Sequence, residues 1–295
     1  MEDKLLQLCR RENVLMNEPL KNHTTFGCGG NAKAVIFPET ENELVSLVKL
    51  LKEDMIILGN GSNVLVCDEG INKYAVITLK MKNVRCEGES IYADCGTSLA
   101  KISAVAAENS LAGLEFASGI PGTVAGGIFM NAGAYGGEIK DVISEVYALD
   151  RDGNKKTFSK EELKLSYRHS VFCDNGYIIT GAKFDLKQGN KEVILAAMKD
   201  LNQRRKDKQP LEYKSAGSTF KRPEGYFAGQ LIEESGLKGY SVGDAQVSEK
   251  HAGFVINKGN AKAKDVLDVI NHCRQVVTEK FGVDLEPEIK ILSND

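Results

Sequence analysis

Residues 119–137 read Gly-Ile-Pro-Gly-Thr-Val-Ala-Gly-Gly-Ile-Phe-Met-Asn-Ala-Gly-Ala-Tyr-Gly-Gly, and seven of these nineteen residues are glycine. Glycine tolerates positive φ and lets the backbone approach a ligand closely. Successive free N–H groups in such a segment can bind an anion. The pattern therefore predicts a loop laid against a pyrophosphate or a flat ring. A tight crossover between packed elements is the alternative interpretation.

A second glycine segment, Gly-Asn-Gly-Ser-Asn at residues 59–63, precedes Val-Leu-Val. It differs from the dinucleotide fingerprint G-x-G-x-x-G because Val64 stands at the third glycine. The following residues also favour a strand over a helix. The helix N-terminus that holds a pyrophosphate in a Rossmann unit is therefore not expected here. A strand–turn–strand anion site and a simple hairpin loop both remain open.

Composition excludes several classes of protein. The 295 residues carry 38 Lys and Arg against 41 Asp and Glu, a net charge of −3, so we expect no nucleic-acid partner. The apolar content of 42% is ordinary for a globular protein, and the length predicts two or three lobes. Neither a signal-peptide core nor a membrane-length apolar window occurs, so we expect no membrane partner and a cytoplasmic location.

The seven cysteines are scattered and form no Cys-x-x-Cys pair. This usage is typical of reduced thiols in a cytosolic protein. The four histidines are not spaced with the cysteines as zinc ligands, and we expect no metal site.

The order of predicted elements favours an α+β fold, because strands and helices mix without a regular βαβ repeat. A capping box at residues 40–43 begins a helix whose apolar face is Leu44, Leu47, Val48 and Leu51. Further helices are predicted at residues 1–19, 98–109, 191–206, 227–234 and 261–281. Strands are predicted at residues 34–38, 55–58, 64–66, 75–79, 145–149, 156–158, 177–186 and 285–292. Residues 84–95 are predicted to form a hairpin around Glu87 and Gly88, residues 245–257 two strands, and Asp152 and Gly153 a hairpin turn between the strands that flank them. The basic run at residues 204–208 is interpreted as a solvated helix end.

Six motifs resemble the UDP-N-acetylenolpyruvoylglucosamine reductase (MurB) family. They lie at residues 22–26, 59–66, 119–138, 166–168, 216–223 and 285–289, in the family's order and across nearly the whole chain. The resemblance implies an FAD-binding fold of the vanillyl-alcohol-oxidase (PCMH) type. Two α+β subdomains in residues 1–188, divided near residue 72, would bind FAD. A C-terminal α+β lobe, residues 189–295, would bind substrate.

The resemblance also implies the cofactors. FAD would be held non-covalently, and NADPH would be the co-substrate. The family's pyrophosphate loops and positions near the cofactor match Gly59, Asn60, Gly61, Ser62, Asn63, Pro121, Gly122, Thr123, Gly126, Met130 and Gly133. His23 is interpreted as a packed or capping histidine rather than a covalent flavin attachment.

The family's reaction reduces the enolpyruvyl ether of UDP-N-acetylglucosamine to UDP-N-acetylmuramate, a step of peptidoglycan precursor synthesis and hence of cell-wall biogenesis and division. Negative charge builds at C2 and spreads into the adjacent carboxylate. Such chemistry needs a cation, a second stabilising polar group and a proton donor. By resemblance, Arg168 would bind the carboxylate, Glu288 would stabilise the enolate and Ser218 would protonate C2.

Tyr167, Lys208 and Arg222 match positions near the sugar nucleotide, although some members have asparagine where Arg222 stands. Residues 186–208 leave no room for the extra tyrosine loop of one family type, so the chain resembles the shorter, second type. The oligomeric state is open, and a monomer is compatible with the sequence. Two alternatives remain: another FAD-dependent oxidase of this fold acting on an alcohol or sugar, and a non-redox sugar-nucleotide-binding module.

Overall fold

The computed structural model describes residues 1–294. In that range the α-helices are α1 (Glu2–Leu8), α2 (Glu41–Leu51), α3 (Leu99–Glu108), α4 (Val124–Phe129), α5 (Ile139–Val142), α6 (Phe172–Asn175), α7 (Lys191–Lys208), α8 (Ala228–Glu234) and α9 (Ala263–Phe281). The first ten strands are β1 (Val14–Met16), β2 (Ala32–Ile36), β3 (Met55–Leu58), β4 (Val64–Val66), β5 (Ile71–Ile77), β6 (Val84–Glu87), β7 (Ser90–Asp94), β8 (Leu111–Ala112), β9 (Gly133–Ala134) and β10 (Gly137–Glu138). The others are β11 (Ile143–Leu149), β12 (Lys155–Ser159), β13 (Ile178–Asp185), β14 (Lys187–Gln188), β15 (Lys214–Ser215), β16 (Ser241–Val242), β17 (Ala245–Val247), β18 (Val255–Asn257) and β19 (Lys290–Leu292).

The chain forms two compact units. Unit 1 comprises Met1–Met16, Ala34–Asn60 and Lys73–Arg205. Unit 2 comprises Asn17–Lys33, Gly61–Asn72 and the chain from Lys206 onward. Each unit is thus assembled from separate stretches of sequence.

Unit 1 contains most of a four-stranded sheet, order β1-β2-β5-β3, and a five-stranded antiparallel sheet, order β12-β11-β13-β7-β6. Helices α1 and α2 cover the first sheet, and their core includes Leu5, Leu44 and Val76. The second sheet shares a core with α3 and α4, in which Ile102 and Ile128 meet inward residues of the strands. Because side chains alternate between the two faces along each strand, one face of the second sheet packs into this core.

Unit 2 is built on the sheet β15-β18-β17-β16. The long helix α9 packs on β17 and β18, and its buried residues follow the predicted apolar face, Val266, Ile270, Cys273 and Val277. Strand β19 pairs in parallel with β4, which joins the end of the chain to its first quarter.

Local signals explain where the predicted helices begin and end. The Thr40 hydroxyl accepts from the Glu43 N–H at the start of α2, and the Glu43 carboxylate accepts from the Glu39 N–H. Gly282 ends α9 in the left-handed conformation with φ +70°. At its N-terminus, α9 receives a distant cap, because the Asp68 carboxylate accepts from the N–H groups of Ala263 (2.8 Å) and Lys264 (2.9 Å).

Three predicted elements are wrong in extent. Residues 119–137 are not all loop, because α4 forms within them, capped by Thr123 and packed through buried Val124 and Ile128. Residues 1–19 do not form one helical arm, since α1 ends at Leu8 and the chain turns into β1. Of the strand predicted at residues 285–292, only β19 forms, because Pro287 cannot donate to a ladder.

Candidate functional site

The first glycine segment touches the second within unit 1. The Asn60 side-chain amide donates to the backbone oxygen of Pro121 over 3.3 Å. A Cβ atom at residue 59 would lie 2.3 Å from Oγ1 of Thr123, so only glycine permits this approach. The two glycine segments therefore lie side by side, joined by the Asn60 amide and by the Thr123 hydroxyl packed against Gly59, as expected for a surface that can offer main-chain groups to a ligand.

Helix α4 continues this surface. Thr123 is buried, and its Oγ1 accepts from the Gly126 N–H over 3.3 Å. Gly126 itself is exposed, and a Cβ there would meet only that hydroxyl at 3.6 Å, an ordinary contact. Met130 is buried at the end of α4, whereas a Cβ at Gly133 in β9 would lie 2.7 Å from Cγ of Glu138. These three predicted cofactor positions thus lie along one helix and the strand after it.

Residues 61–63 belong to unit 2. Gly61 has φ +60°, and a Cβ there would lie 2.3 Å from the backbone oxygen of His23. The half-buried Ser62 follows. The Asn63 side-chain amide donates to the Glu288 backbone oxygen (3.2 Å), and the Asn63 backbone oxygen accepts from the Lys290 N–H (2.9 Å). Strand β4 comes next, so the prediction that no Rossmann helix follows this segment is confirmed.

Arg168 lies in a tight turn of unit 1. Ser166 and His169 form an antiparallel bridge with two backbone hydrogen bonds of 3.1 and 3.2 Å, which leaves Tyr167 and Arg168 at the tip. Arg168 has φ +54°, a conformation that usually requires glycine or asparagine. Its guanidinium carbon lies 4.9 Å from the centre of the Tyr167 ring. The turn therefore presents a half-buried cation beside an exposed aromatic ring.

Ser218 and Glu288 lie on two paired segments of unit 2. The Glu288 N–H donates to the backbone oxygen of Thr219 (2.8 Å), and Phe220 bridges Pro287. Thr219 is buried, and its hydroxyl accepts from the Val255 N–H over 2.9 Å. A serine hydroxyl and a carboxyl group are thereby carried on adjacent, firmly hydrogen-bonded backbone. Ser218 is exposed and Glu288 is half-buried.

The remaining predicted substrate residues lie on exposed positions of unit 2. Lys208 is the last residue of α7. The guanidinium carbon of Arg222 lies 4.6 Å from the centre of the Phe227 ring, a cation–π arrangement that holds the arginine side chain along the loop before α8. Both residues present positive charge to solvent.

His23 pairs with an acid in its own unit. Its Nε2 lies 2.9 Å from Oε1 of Glu18, whose pKa is lowered by hydrogen bonds from Asn22 and His23. This contact confirms the interpretation of His23 as a packed histidine.

The described residues, 1–294, contain no cluster of three or more His, Cys, Asp or Glu side chains arranged to hold a metal ion. All seven cysteines are free thiols, and burial raises the pKa of Cys95 and Cys273 to about 12. Within that same range, no helix combines the length and the apolar character needed to cross a bilayer.

Two family models match the chain: an FAD binding domain over residues 32–159, and the C-terminal domain of UDP-N-acetylenolpyruvoylglucosamine reductase over residues 209–292. The reductase of Caldanaerobacter subterraneus is 51% identical over 293 residues, covering 98% of this chain and 97% of that protein. The reductase of Clostridium kluyveri is 48% identical over 295 residues, covering 99% and 97%. The chain belongs to the UDP-N-acetylenolpyruvoylglucosamine reductase family.

A solved structure agrees with this assignment. The reductase from Thermus caldophilus aligns with a TM-score of 0.83 at 37% identity, over 95% of this chain and 98% of that one. The α+β FAD-binding fold of the vanillyl-alcohol-oxidase type, inferred from six short motifs, is therefore confirmed for this member of the reductase family.

One residue of this reductase family member escaped the sequence interpretation. The basic run at residues 204–208 is not wholly a solvated helix end, because Arg205 is half-buried, and this partial burial lowers the pKa of its guanidinium. The Cδ atom of Arg205 would lie 3.2 Å from a Cβ atom added at Gly119. Asn202, three residues earlier on α7, donates a hydrogen bond to the Ser118 hydroxyl. Asn202 and Arg205 lie three residues apart and so share the face of α7 that packs beside Ser118 and Gly119, but nothing in the local sequence indicated that contact.

The structure brings together several of the predicted site residues within each unit. In unit 1 it joins Gly59 and Asn60 to residues 121–123. In unit 2 the Asn63 side-chain amide donates to the Glu288 backbone oxygen, and Ser218 precedes Thr219, whose backbone oxygen accepts from the Glu288 N–H. The individual roles of these residues stay predictions.

Proposed function

We propose that this protein reduces the enolpyruvyl ether of UDP-N-acetylglucosamine to UDP-N-acetylmuramate, with non-covalent FAD as cofactor and NADPH as co-substrate. The observation that carries the proposal is the pairing of the Ser218 and Glu288 segments in a chain of this reductase family. The product is the peptidoglycan precursor that the family supplies. The seven free thiols support a cytoplasmic location.

Glycine-lined backbone supports FAD binding. The contact of Gly59 with Thr123, and the open face at Gly126, form a surface where main chain rather than side chain meets the ligand. Residues 59–63 and 121–123 would hold the pyrophosphate, and Gly126, Met130 and Gly133 would lie near the rest of the cofactor. When bound, FAD would supply hydride transfer, with NADPH as the source of the hydride and the enolpyruvyl double bond as its acceptor.

The protein's own side chains would handle charge and the proton. The planar guanidinium of Arg168 suits a carboxylate, because it donates two parallel hydrogen bonds. Glu288 would stabilise the enolate oxygen, either protonated or through water. The hydroxyl of Ser218 would donate its proton to C2 and be reprotonated from solvent, to which it is exposed.

The sugar nucleotide would contact Tyr167, Lys208 and Arg222. The two phosphate groups require cations, which Lys208 and Arg222 supply. Under this proposal residues 1–188 would bind FAD and contribute Tyr167 and Arg168 to the substrate, and residues 189–295 would bind the rest of the substrate.

An anaerobic two-step assay tests the function. NADPH should bleach the yellow holoprotein, and the enolpyruvyl substrate should then restore the flavin absorbance while UDP-N-acetylmuramate forms in equal amount. Reoxidation by oxygen with an alcohol or sugar as the reductant, and none by the enolpyruvyl substrate, would instead identify an oxidase. A colourless protein that binds the sugar nucleotide would identify a binding module.

Gly126→Ala tests whether FAD packs against helix α4. The new methyl group meets only an ordinary contact within the protein, and alanine favours helix, so the fold should be at least as stable. Overpacking against a ligand costs about 1–3 kcal/mol, so FAD affinity should fall by about 5- to 150-fold. Thermal unfolding of the apoprotein and fluorescence titration with FAD measure the two effects separately.

Gly236→Ala is the control for that titration: Gly236 follows the short helix α8 and lies in open space, but its φ of +75° strains an alanine, so the variant shows what a loss of stability alone does to FAD binding. It should leave FAD affinity unchanged. Wild-type FAD affinity in Gly126→Ala would rule out close packing of the cofactor on this helix.

A further inference from the structure

Asn131, in the long glycine segment, is a buried amide that the proposed chemistry leaves unused. Its side chain has no exposed surface, and its φ of +42° is one that asparagine and glycine tolerate better than other residues. Its Nδ2 donates to Glu138 Oε2 (2.8 Å) and to the Ser166 backbone oxygen (2.9 Å). Its Oδ1 accepts from the Lys140 N–H (3.0 Å). The amide therefore links the Glu138 carboxylate, the Ser166 backbone oxygen and the Lys140 N–H.

The bond to Ser166 reaches the turn that carries Arg168. The Ser166 oxygen also accepts from the His169 N–H, so this one oxygen closes the turn and receives the Asn131 amide. Arg168 has the strained φ of +54° within that turn. A strained conformation persists only where its surroundings hold it.

Two more contacts tie the same segment to the end of α4. The hydroxyl of Ser170 donates to the Phe129 backbone oxygen over 2.8 Å, and the thiol of Cys173 donates to that oxygen over 3.5 Å. These contacts hold the chain after the turn, whereas Asn131 holds the turn itself. Asn131 is thus the side chain that anchors Arg168 from the direction of the glycine segment.

The charge of Arg168 acts on Glu138, the carboxylate that Asn131 contacts. Glu138 accepts hydrogen bonds from Lys140 and Asn131. These bonds, together with the nearby positive charge of Arg168, lower the pKa of the Glu138 carboxyl group. The carboxylate that Asn131 holds therefore also attracts the guanidinium.

We propose that Asn131 is a positioning residue for Arg168: its amide fixes the 166–169 turn so that the guanidinium is held ready for the substrate carboxylate. The inference rests on the proposed function, in which Arg168 binds that carboxylate. Asn131 itself touches neither the substrate nor the cofactor in this role.

Asn131→Gly is the test variant, because glycine adopts φ +42° without strain and loses only the amide. In the FAD-loaded protein, reoxidation by the enolpyruvyl substrate should slow by about 10- to 100-fold, as expected for a misplaced binding group. The substrate's Kd for the oxidised holoprotein, read from the shift of flavin absorbance, should rise. Reduction by NADPH should stay within about twofold of wild type, since it does not use the substrate carboxylate.

Asn17→Gly is the matched control. Asn17 also has positive φ, +50°, and its side-chain oxygen also accepts a hydrogen bond, from Asn31. Asn17 is exposed and its side chain accepts one such bond, so Asn17→Gly should lose less thermal stability than Asn131→Gly and keep both half-reactions. If Asn131→Gly does not retain FAD, Asn131→Asp in a Glu138→Gln background takes its place, with Glu138→Gln alone as its reference. Aspartate is equal in size, keeps the acceptor for Lys140 and loses the donor to Ser166, and the background change removes the repulsion between two carboxylates.

A double-mutant cycle with Arg168→Ala separates the possible outcomes. If Asn131 acts through Arg168, the double variant should reoxidise no more slowly than Arg168→Ala alone. Additive losses, or normal reoxidation in the Asn131 variant while Arg168→Ala is slow, would overturn the inference and leave the proposed function intact. Normal reoxidation in Arg168→Ala would overturn the role of Arg168 and the inference with it.

Discussion

Ser218→Ala is expected to slow reoxidation of the reduced enzyme by the enolpyruvyl substrate by about 10²- to 10⁴-fold, the usual contribution of a general acid. Reduction by NADPH should proceed at nearly the normal rate, because that step delivers no proton to the substrate carbon. Within residues 1–294 the Ser218 hydroxyl makes no hydrogen bond to another group of the protein, so its loss should leave the turn intact. Rapid-mixing measurement of flavin absorbance follows both half-reactions.

Ser218→Cys should recover part of this rate, since a thiol has similar size and a more acidic proton. Ser241→Ala, another exposed serine of unit 2, is the control and should change neither half-reaction. If Ser218→Ala reoxidises within about threefold of wild type, Ser218 is not the essential acid, and a bound water molecule becomes the better candidate.

Arg168→Lys should lose about 2 kcal/mol of transition-state stabilisation, because lysine keeps the charge but loses the paired donors. That energy corresponds to about 30-fold in rate. The loss should appear in reoxidation by substrate, and flavin reduction by NADPH should be spared. The same stopped-flow experiment, with substrate concentration varied, gives kcat/KM for the second half-reaction.

Arg85→Lys is the matched control, an exposed arginine of unit 1 that also lies over a tyrosine, with its guanidinium carbon 3.9 Å from the centre of the Tyr92 ring. It should behave as wild type. Equal damage to both half-reactions in Arg168→Lys would argue against a carboxylate-binding role and for a general disturbance of the flavin environment.

Elements specified by nearby residues could be predicted from the sequence. The Thr40 cap and the apolar spacing after it gave α2, and the apolar face ending at Gly282 gave α9. The hairpin around Asp152 and Gly153 formed as expected, since Asp150 accepts from the N–H groups of residues 152 and 154. In each case the decisive contacts lie within a few residues of one another.

Features that depend on distant contacts could not be predicted. Helix α4 forms in a glycine-rich segment because Gly127 packs closely against Leu99, where an added Cβ would lie 3.1 Å from the leucine side chain. The burial of Arg205 depends on α7 packing beside Ser118 and Gly119. No local pattern encodes either contact.

The candidate site shows the same difference between what local sequence specifies and what distant contacts specify. The motifs identified the residue types and the family, because glycine-rich segments and a Tyr-Arg pair can be read directly from the sequence. The contacts of the Asn131 amide and of the Thr219 hydroxyl could not be predicted, since their partners lie 35 residues away at Ser166 and 36 away at Val255.

The bond from Asn63 to Glu288 spans 225 residues of sequence, and β4 and β19 pair over a similar separation. Bringing such remote stretches together has a large entropic cost before any contact compensates for it, and chains rich in remote contacts fold slowly. The segment at residues 61–63 is therefore expected to acquire its final shape only after residues 288–292 have docked. During synthesis on the ribosome, this part of unit 2 waits for β19, and capture of the flavin is expected to follow the docking of that strand.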